Sequence, residues 1–223
     1  MKKIFLVSVL CMFMMSMAPA LQAKISINES MFSYIPYKSA TWNEKRTIQS
    51  EAGVNTIEQN VWYKDSKMRT EGEYVDRESG KKADQVIIVT DKFIYILFPQ
   101  MKKGMKKPID EGTDAQQTQS LNKFRKDAKK SGSEKINGEN CDIYKYTFNT
   151  TNGENKIYAE VTEWRNSDGF PLKSETYMKI SGGKETTMKT VTEISNLKTN
   201  ADVPDSKFVP DSSIELMDSG AVK

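Results

Sequence analysis

Residues 85–98, which read Gln-Val-Ile-Ile-Val-Thr-Asp-Lys-Phe-Ile-Tyr-Ile-Leu-Phe, decide the fold of this chain. Apolar residues stand at consecutive positions on both sides of a tight turn at Asp91-Lys92. β-branched and aromatic residues favour strands, and strands that are apolar at every position are covered on both faces. The stretch therefore predicts a β-hairpin that is covered on both faces, and we place it at the centre of a sheet.

Strand patterns continue on both sides of this hairpin. Residues 56–64 are rich in strand-forming types, and residues 68–74 alternate between apolar and polar types. After the hairpin, four alternating runs are separated by short turns of Asn, Asp, Gly and Ser. The four runs are residues 141–148, 157–164, 172–180 and 186–194. Because the turns are short, these runs predict an antiparallel meander.

Two segments between the strand blocks differ from their surroundings. Residues 99–108 form a lysine-rich stretch bounded by prolines, which we interpret as a basic loop. Residues 113–130 predict an amphipathic helix, with a capping box at its start and Leu121, Phe124 and Ala128 on one face. One helix does not cover a sheet of eight or more strands. The prediction is a mainly β fold in which a large curled antiparallel sheet closes largely on itself, as a barrel or half-barrel.

The first 23 residues have the layout of a secretory signal peptide. Lysines at positions 2 and 3 precede an apolar run over residues 4–17, and small residues follow it. The run is shorter than the ~20 residues that a membrane-spanning helix needs. We expect cleavage after Ala20 or Ala23, with residues 1–23 as signal peptide and residues 24–223 as a single periplasmic domain. That domain retains only Cys141, so it forms no internal disulfide.

Composition excludes several classes of function. The sequence contains no histidine, which removes Ser-His-Asp and Cys-His nucleophile activation and the usual zinc sites. The formal net charge of +3 falls to +1 without the two lysines of the signal peptide. A nearly neutral protein lacks the basic face of a general nucleic-acid binder. Glu71, Glu73 and Asp76 alternate with apolar residues and are expected to face solvent. We therefore expect no enzyme activity, no catalytic residue, no metal, no cofactor and no nucleic-acid partner.

Three stretches carry a resemblance to a known family. They are Asn60–Lys64, the hairpin over residues 86–99, and the segment from Trp164 through the turn at residues 168–173 to the closing Asp205-Ser206-Lys207-Phe208. Together they resemble the LolA-like outer-membrane lipoprotein carriers, the LolA/LolB fold, in order over about residues 38–210. The resemblance implies an unclosed antiparallel β-barrel, or half-barrel, whose helical insertion acts as a lid.

The resemblance also implies a ligand-binding cavity lined by inward-facing hydrophobic side chains. The alternation of the strands selects the candidates, although the sequence does not distinguish the two faces of the sheet. The candidates are Trp62, Met68, Phe93, Tyr95 and Trp164.

The lysine-rich stretch admits two interpretations. Its lysines either contact the anionic headgroups of a membrane or form a solvated tip that blocks aggregation. The lysines are Lys102, Lys103, Lys106 and Lys107.

The expected function is that of a monomeric periplasmic carrier. The resemblance implies a non-catalytic protein that binds the acyl chains of a lipid-modified protein or another amphiphile, and exchanges them with a membrane or an acceptor protein. Asp65 occupies the position at which the carrier proper has an arginine, which favours a relative with another amphiphilic ligand. The alternatives are an envelope sensor or protein-interaction module that uses the same cavity, and a domain with a filled core that binds no ligand.

Overall fold

A computed structural model describes residues 32, 34–51, 53–75, 82–109, 123–152, 155–182 and 185–218. The predicted signal peptide and residues 113–122 of the predicted helix lie outside the described residues. The strands are β1 (Ser39–Ser50), β2 (Gly53–Lys64), β3 (Lys67–Val75), β4 (Lys82–Val89), β5 (Phe93–Phe98), β6 (Lys103–Pro108), β7 (Lys129–Ile136), β8 (Glu139–Asn152), β9 (Asn155–Arg165), β10 (Pro171–Ser181), β11 (Thr186–Thr199) and β12 (Glu215–Asp218).

The twelve strands of the described residues belong to one open sheet. Their order is β12-β6-β5-β4-β3-β2-β1-β11-β10-β9-β8-β7. The pairing is antiparallel throughout, except that β12 runs parallel to β6. The edge strands β12 and β7 do not pair with each other in the described part of the chain. A mainly β fold with an unclosed antiparallel sheet is therefore confirmed.

The predicted hairpin and meander both form, but the predicted position of the hairpin is wrong. β4 and β5 pair over Val86–Val89 and Ile94–Leu97, and β8 to β11 follow one another in the sheet. The middle of the sheet is occupied by β2 and β1, whereas β5 and β4 are third and fourth from the β12 edge. The hairpin is apolar on both faces because its side chains contribute to a separate apolar cluster on each face, as described below.

The predictions for the two segments between the strand blocks are wrong where the structure describes them. The expected basic loop is a 3-10 turn at Pro99–Met101 followed by β6, which is held by backbone hydrogen bonds to β5 and needs no apolar alternation. The expected helix is helical in its described part only over residues 123–126, and Lys129 already begins β7. β7 is a polar edge strand whose conformation comes from pairing with β8. A helical lid stays a prediction.

Strand register defines two faces of the sheet between β1 and β6. Trp42 pairs with Val61, so its side chain and that of the next residue, Trp62, lie on opposite faces. We call these the Trp42 face and the Trp62 face. As predicted, Ile57, Val61 and Tyr63 share a face, and it is the Trp42 face.

A first apolar cluster is formed by side chains of β1, β2 and β8 to β11 and of the turn between β9 and β10. Phe170 is fully buried in it, with ring centroids 5.4 Å from Trp42 and 5.5 Å from Tyr37. A side-chain oxygen of Asn166 accepts the backbone N–H of Phe170 at 3.0 Å and so directs the turn inward. Phe32 joins the same cluster from the start of the described chain.

The C-terminal segment covers the Trp62 face of the hairpin. Val203, Phe208 and Ile214 pack against a second cluster contributed by β4 and β5. The ammonium of Lys64 donates to the carbonyl of Val203 at 3.1 Å, which ties the segment to β2. Phe208, which lies between Pro204 and Pro210 in the tail, is buried and completes this core. On the Trp42 face, side chains of the same hairpin pack with Met105 and Ile109 in a separate cluster.

Candidate functional site

The Trp42 face continues across β8 to β11 as a largely apolar surface. Phe148, Ala159 and Val161 form a buried cluster there, and the ring of Phe124 stacks on Phe148 with centroids 6.1 Å apart. Met178 is buried and pairs with Ala159 in the neighbouring strand. These side chains share one face because they alternate along paired strands.

The same face becomes charged towards the end of β9. Glu163 follows Val161 in the same alternating phase and is 7% exposed. Its carboxylate accepts hydrogen bonds from Arg125 Nε at 2.8 Å, Arg165 Nε at 2.7 Å and the Tyr146 hydroxyl at 3.2 Å. We call these four residues the arginine cluster. Burial and then the adjacent Glu163 carboxylate raise the pKa of Tyr146, so this hydroxyl stays protonated and donates.

Aromatic rings support both guanidinium groups of the arginine cluster. The guanidinium of Arg125 lies 5.3 Å from the ring centroid of Tyr34, and that of Arg165 lies 4.3 Å from the ring of Tyr144. Cations over aromatic faces are stabilised by the ring quadrupole, more so when water is excluded. The rings therefore fix the two cations without neutralising them.

The arginine cluster carries an excess positive charge in a nearly dry site. Two guanidinium groups share one carboxylate, and the side chains of Arg125, Glu163 and Arg165 are 15%, 9% and 13% exposed. The Nη2 atom of Arg125 is buried and has no hydrogen-bond partner among the described residues. The same holds for the indole nitrogen of Trp42. Both atoms are hydrogen-bond donors, so the described residues offer neither of them an acceptor.

A second polar group lies on the Trp42 face, nearer the middle of the sheet. The Glu44 carboxylate accepts from Arg46 Nη2 at 2.5 Å and from Gln59 Nε2 at 2.9 Å. Arg46 of β1 pairs with Thr192 of β11, which in turn pairs with Ser174 of β10. Ser174 pairs with Glu163 of β9, so one row of paired residues links Arg46 to Glu163 across the sheet. A polar band therefore crosses a face that is otherwise largely apolar.

Of the predicted cavity residues, the structure places Met68 on the Trp42 face, where it packs against the first cluster. Trp62 and Tyr95 lie on the other face and pack against the second cluster, beneath the C-terminal segment. Phe93 lies beside Tyr95, with ring centroids 6.0 Å apart.

Trp164 is buried in the first cluster. Its indole nitrogen donates to Glu134 at 2.7 Å, and the ammonium of Lys173 lies 4.4 Å from its ring. The five predicted side chains therefore do not share one cavity, and a ligand-binding role for any of them stays a prediction.

The four predicted headgroup lysines cluster around β6, beside exposed apolar side chains. Lys103 and Lys107 lie on the Trp42 face, whereas the ammonium of Lys106 lies 4.0 Å from the ring of Phe93 on the other face. Lys102 ends the preceding turn in a left-handed conformation. The exposed apolar side chains nearby are Met101, Leu216 and Met217.

An open groove of about 890 Å³ runs across the Trp62 face. It is lined mostly by amides and carboxylates. Asn43 is one of the lining residues; its side chain donates to that of Asn60 and accepts from that of Asn196 at 2.6 Å. This lining offers hydrogen bonds and little apolar surface, so it does not suit an acyl chain.

The charged residues of the arginine cluster were missed from the sequence, although β9 carries a signal for one of them. Ile157, Ala159 and Val161 occupy the buried phase of that strand, and Glu163 is the next residue in the same phase. A carboxylate in a buried phase implies a buried partner, because an unpaired buried charge is costly. Nothing in the local pattern identifies Arg125 as that partner.

Comparison with known proteins identifies a family. A family model described as "Domain of unknown function (DUF4412)" matches residues 45–166, more than half of the chain. Comparison with curated proteins gives no significant match. In the described part of the chain, no helix has the length and apolar character needed to cross a bilayer.

Several solved structures are similar to this chain at low sequence identity. An uncharacterized conserved protein from Thermus thermophilus is 8% identical, with 86% of this chain and 96% of that chain covered and a TM-score of 0.47. LprF from Mycobacterium bovis is 12% identical, with coverages of 85% and 99% and a TM-score of 0.39. A putative outer membrane lipoprotein-sorting protein domain from Vibrio parahaemolyticus is 12% identical, with coverages of 82% and 94% and a TM-score of 0.36.

Proposed function

We propose that this chain, which belongs to the DUF4412 family, is a non-catalytic periplasmic binding protein that holds an amphiphile against its Trp42 face. The amphiphile is a lipid-modified protein or another molecule with an acyl chain and a polar head. The observation that carries the proposal is the combination of buried apolar side chains and a charged cluster on one face of the same strands.

The dimensions of this face suit such a ligand. Along β9, Glu163 lies six positions after Ile157, which corresponds to about 20 Å of extended strand. Apolar side chains occupy the first part of this distance and the arginine cluster occupies its end. A molecule with an apolar chain and a polar head matches this order, whereas a uniformly apolar or uniformly polar ligand leaves one part unmatched.

Burial of the chain supplies the affinity in this proposal. Each methylene transferred from water contributes about 0.8 kcal/mol, so eight buried methylenes contribute roughly 6 kcal/mol before the cost of association. Release then requires a membrane or an acceptor protein that buries the chain at least as well. The lysines around β6 and the neighbouring exposed methionines would meet an anionic membrane surface during this exchange.

Ligand uptake by a matched pair of variants tests the proposal. Thr176→Glu places a charge among the apolar side chains of the Trp42 face, since Thr176 pairs with Val161. Thr187→Glu places the same charge on the opposite face of the adjoining strand, opposite Lys179. We expect the protein to bind oleate or lysophospholipid in native mass spectrometry, Thr176→Glu to bind at least about tenfold more weakly, and Thr187→Glu to bind normally.

Two outcomes would remove the proposal. One is a wild-type protein that takes up neither compound after delipidation. The other is an equal loss of ligand affinity in both variants while both unfold at the wild-type temperature, because the Trp42 face would then have no special role.

Sedimentation with anionic and zwitterionic vesicles tests the contact of the lysines with a membrane separately. Equal binding to both vesicle types would exclude that contact.

A further inference from the structure

We propose that the arginine cluster is an anion site that receives the acidic head of the ligand, a carboxylate or a phosphate. This inference rests on the proposed function and specifies the chemistry of the ligand. It starts from the charge count: among the described residues, two guanidinium groups share one carboxylate, which leaves one positive charge that they do not compensate, in a site that is largely shielded from water. Such a charge is costly unless an anion joins it.

The unsatisfied donors of the Trp42 face support this assignment. Arg125 Nη2 and Trp42 Nε1 are buried and lack an acceptor among the described residues. Buried polar atoms in proteins almost always have a partner, so two unpaired donors on one face indicate that acceptor oxygens belong there. Tyr34 links the two places, because its ring lies beside the Arg125 guanidinium and packs against the cluster that contains Trp42.

The existing contacts also leave the right atoms of Arg125 for a ligand. Its Nε atom is used by Glu163, at 2.8 and 3.0 Å from the two carboxylate oxygens. The terminal nitrogen Nη2 is buried and has no hydrogen-bond partner in the described part of the chain. Guanidinium groups bind carboxylates and phosphates through pairs of N–H donors, and these charge-assisted bonds are stronger than neutral ones.

The position of the site relative to the apolar surface completes the argument. Val161 precedes Glu163 in the same phase of β9, so an acyl chain lying over Ile157, Ala159 and Val161 ends at the arginine cluster. A neutral head there would leave the excess charge in place. An acidic head neutralises it.

The test compares three amphiphiles with the same chain: oleate, oleyl phosphate and the neutral monoolein. We expect the wild-type protein to bind the better of the two acids at least about tenfold more tightly than monoolein. Arg125→Gln should lose most of that preference with little change in monoolein binding. Lys123→Gln and Lys126→Gln remove exposed cations from the same helical turn and should bind all three compounds as the wild type does. A preference between the two acids shows whether the site takes a carboxylate or a phosphate.

Each outcome bears on the inference. Equal binding of all three compounds by the wild type overturns the anion site while leaving the proposed amphiphile function intact. Failure to bind any of them overturns both. If Arg125→Gln weakens the binding of all three compounds equally, the arginine only supports the fold. A urea unfolding curve of the same variant checks this. A preference that disappears in 0.5 M NaCl also argues against the site, since buried pairs are screened less than exposed ones.

Discussion

Replacing Glu163 by glutamine should destabilise the protein strongly, because it removes the only carboxylate of the arginine cluster. The neutral side chain has nearly the same shape, so the change is electrostatic. Its amide NH₂ group would face a guanidinium, donor against donor, where the carboxylate now accepts from Arg125, Arg165 and Tyr146. Removing one partner of a buried ion pair costs about 3–5 kcal/mol, and we take the lower end because the arginines are 13–15% exposed.

A loss of about 3 kcal/mol corresponds to a change of about 150-fold in the folding equilibrium. For a domain of this size it lowers the melting temperature by roughly 6–12 °C. The assay is urea unfolding followed by tryptophan fluorescence, with the slope of the unfolding free energy against urea unchanged between variants.

The matched control is Glu58→Gln. Glu58 forms an exposed ion pair with Lys45 at 3.6 Å, and its side chain is 72% exposed. Exposed pairs contribute about 0–1 kcal/mol, so this variant should unfold almost as the wild type does. If Glu163→Gln lost no more stability than Glu58→Gln, the carboxylate would not be compensating buried charge, and the electrostatic account of the arginine cluster would be wrong.

Three further predictions follow from packing and titration. Trp62→Ala should lower the free energy of unfolding by about 2 kcal/mol and speed proteolysis of the C-terminal segment, without weakening oleate binding. Weaker oleate binding at unchanged stability would place Trp62 in the ligand site. Cys141 is fully buried and burial raises the pKa of its thiol, so a thiol reagent should label it only on unfolding; fast labelling of the native protein would contradict this. Partial burial raises the pKa of Glu175, but hydrogen bonds from Lys173 and Lys189 outweigh this effect and lower the pKa below 4.5. The charged carboxylate therefore stabilises the fold at neutral pH, and this contribution disappears in acid. The melting temperatures of the wild type and Glu175→Gln should therefore converge between pH 5 and pH 3, and a constant difference would refute the assignment.

Much of the strand pattern follows from local sequence. The hairpin of β4 and β5 and the meander of β8 to β11 are visible because side-chain alternation and turn residues act over a few positions. The register of the hairpin between β2 and β3 also follows from local sequence, because a two-residue turn determines which residues pair. Its two-residue turn, Asp65-Ser66, has positive φ at both positions and pairs Tyr63 with Met68. That pairing already places Trp62 and Met68 on opposite faces.

The edge strands and the position of the hairpin depend on pairing between distant segments. β7 has few apolar residues, and its conformation comes from hydrogen bonds to β8. β12 adds to β6 across more than a hundred residues of chain. Backbone hydrogen bonding is largely independent of side-chain type, so a polar segment gives little local sign that it will join a sheet.

The sequence by itself determined which residues form most strands and which of them alternate, because those properties are periodic along the chain. Only the tertiary structure decided what each face contacts. The tail that carries Phe208 covers the Trp62 face, and Arg125 meets Glu163 across 38 positions of sequence. Burial, and the compensation of a buried charge, are set by segments far apart in the chain, so the arginine cluster emerges only when the sheet brings them together.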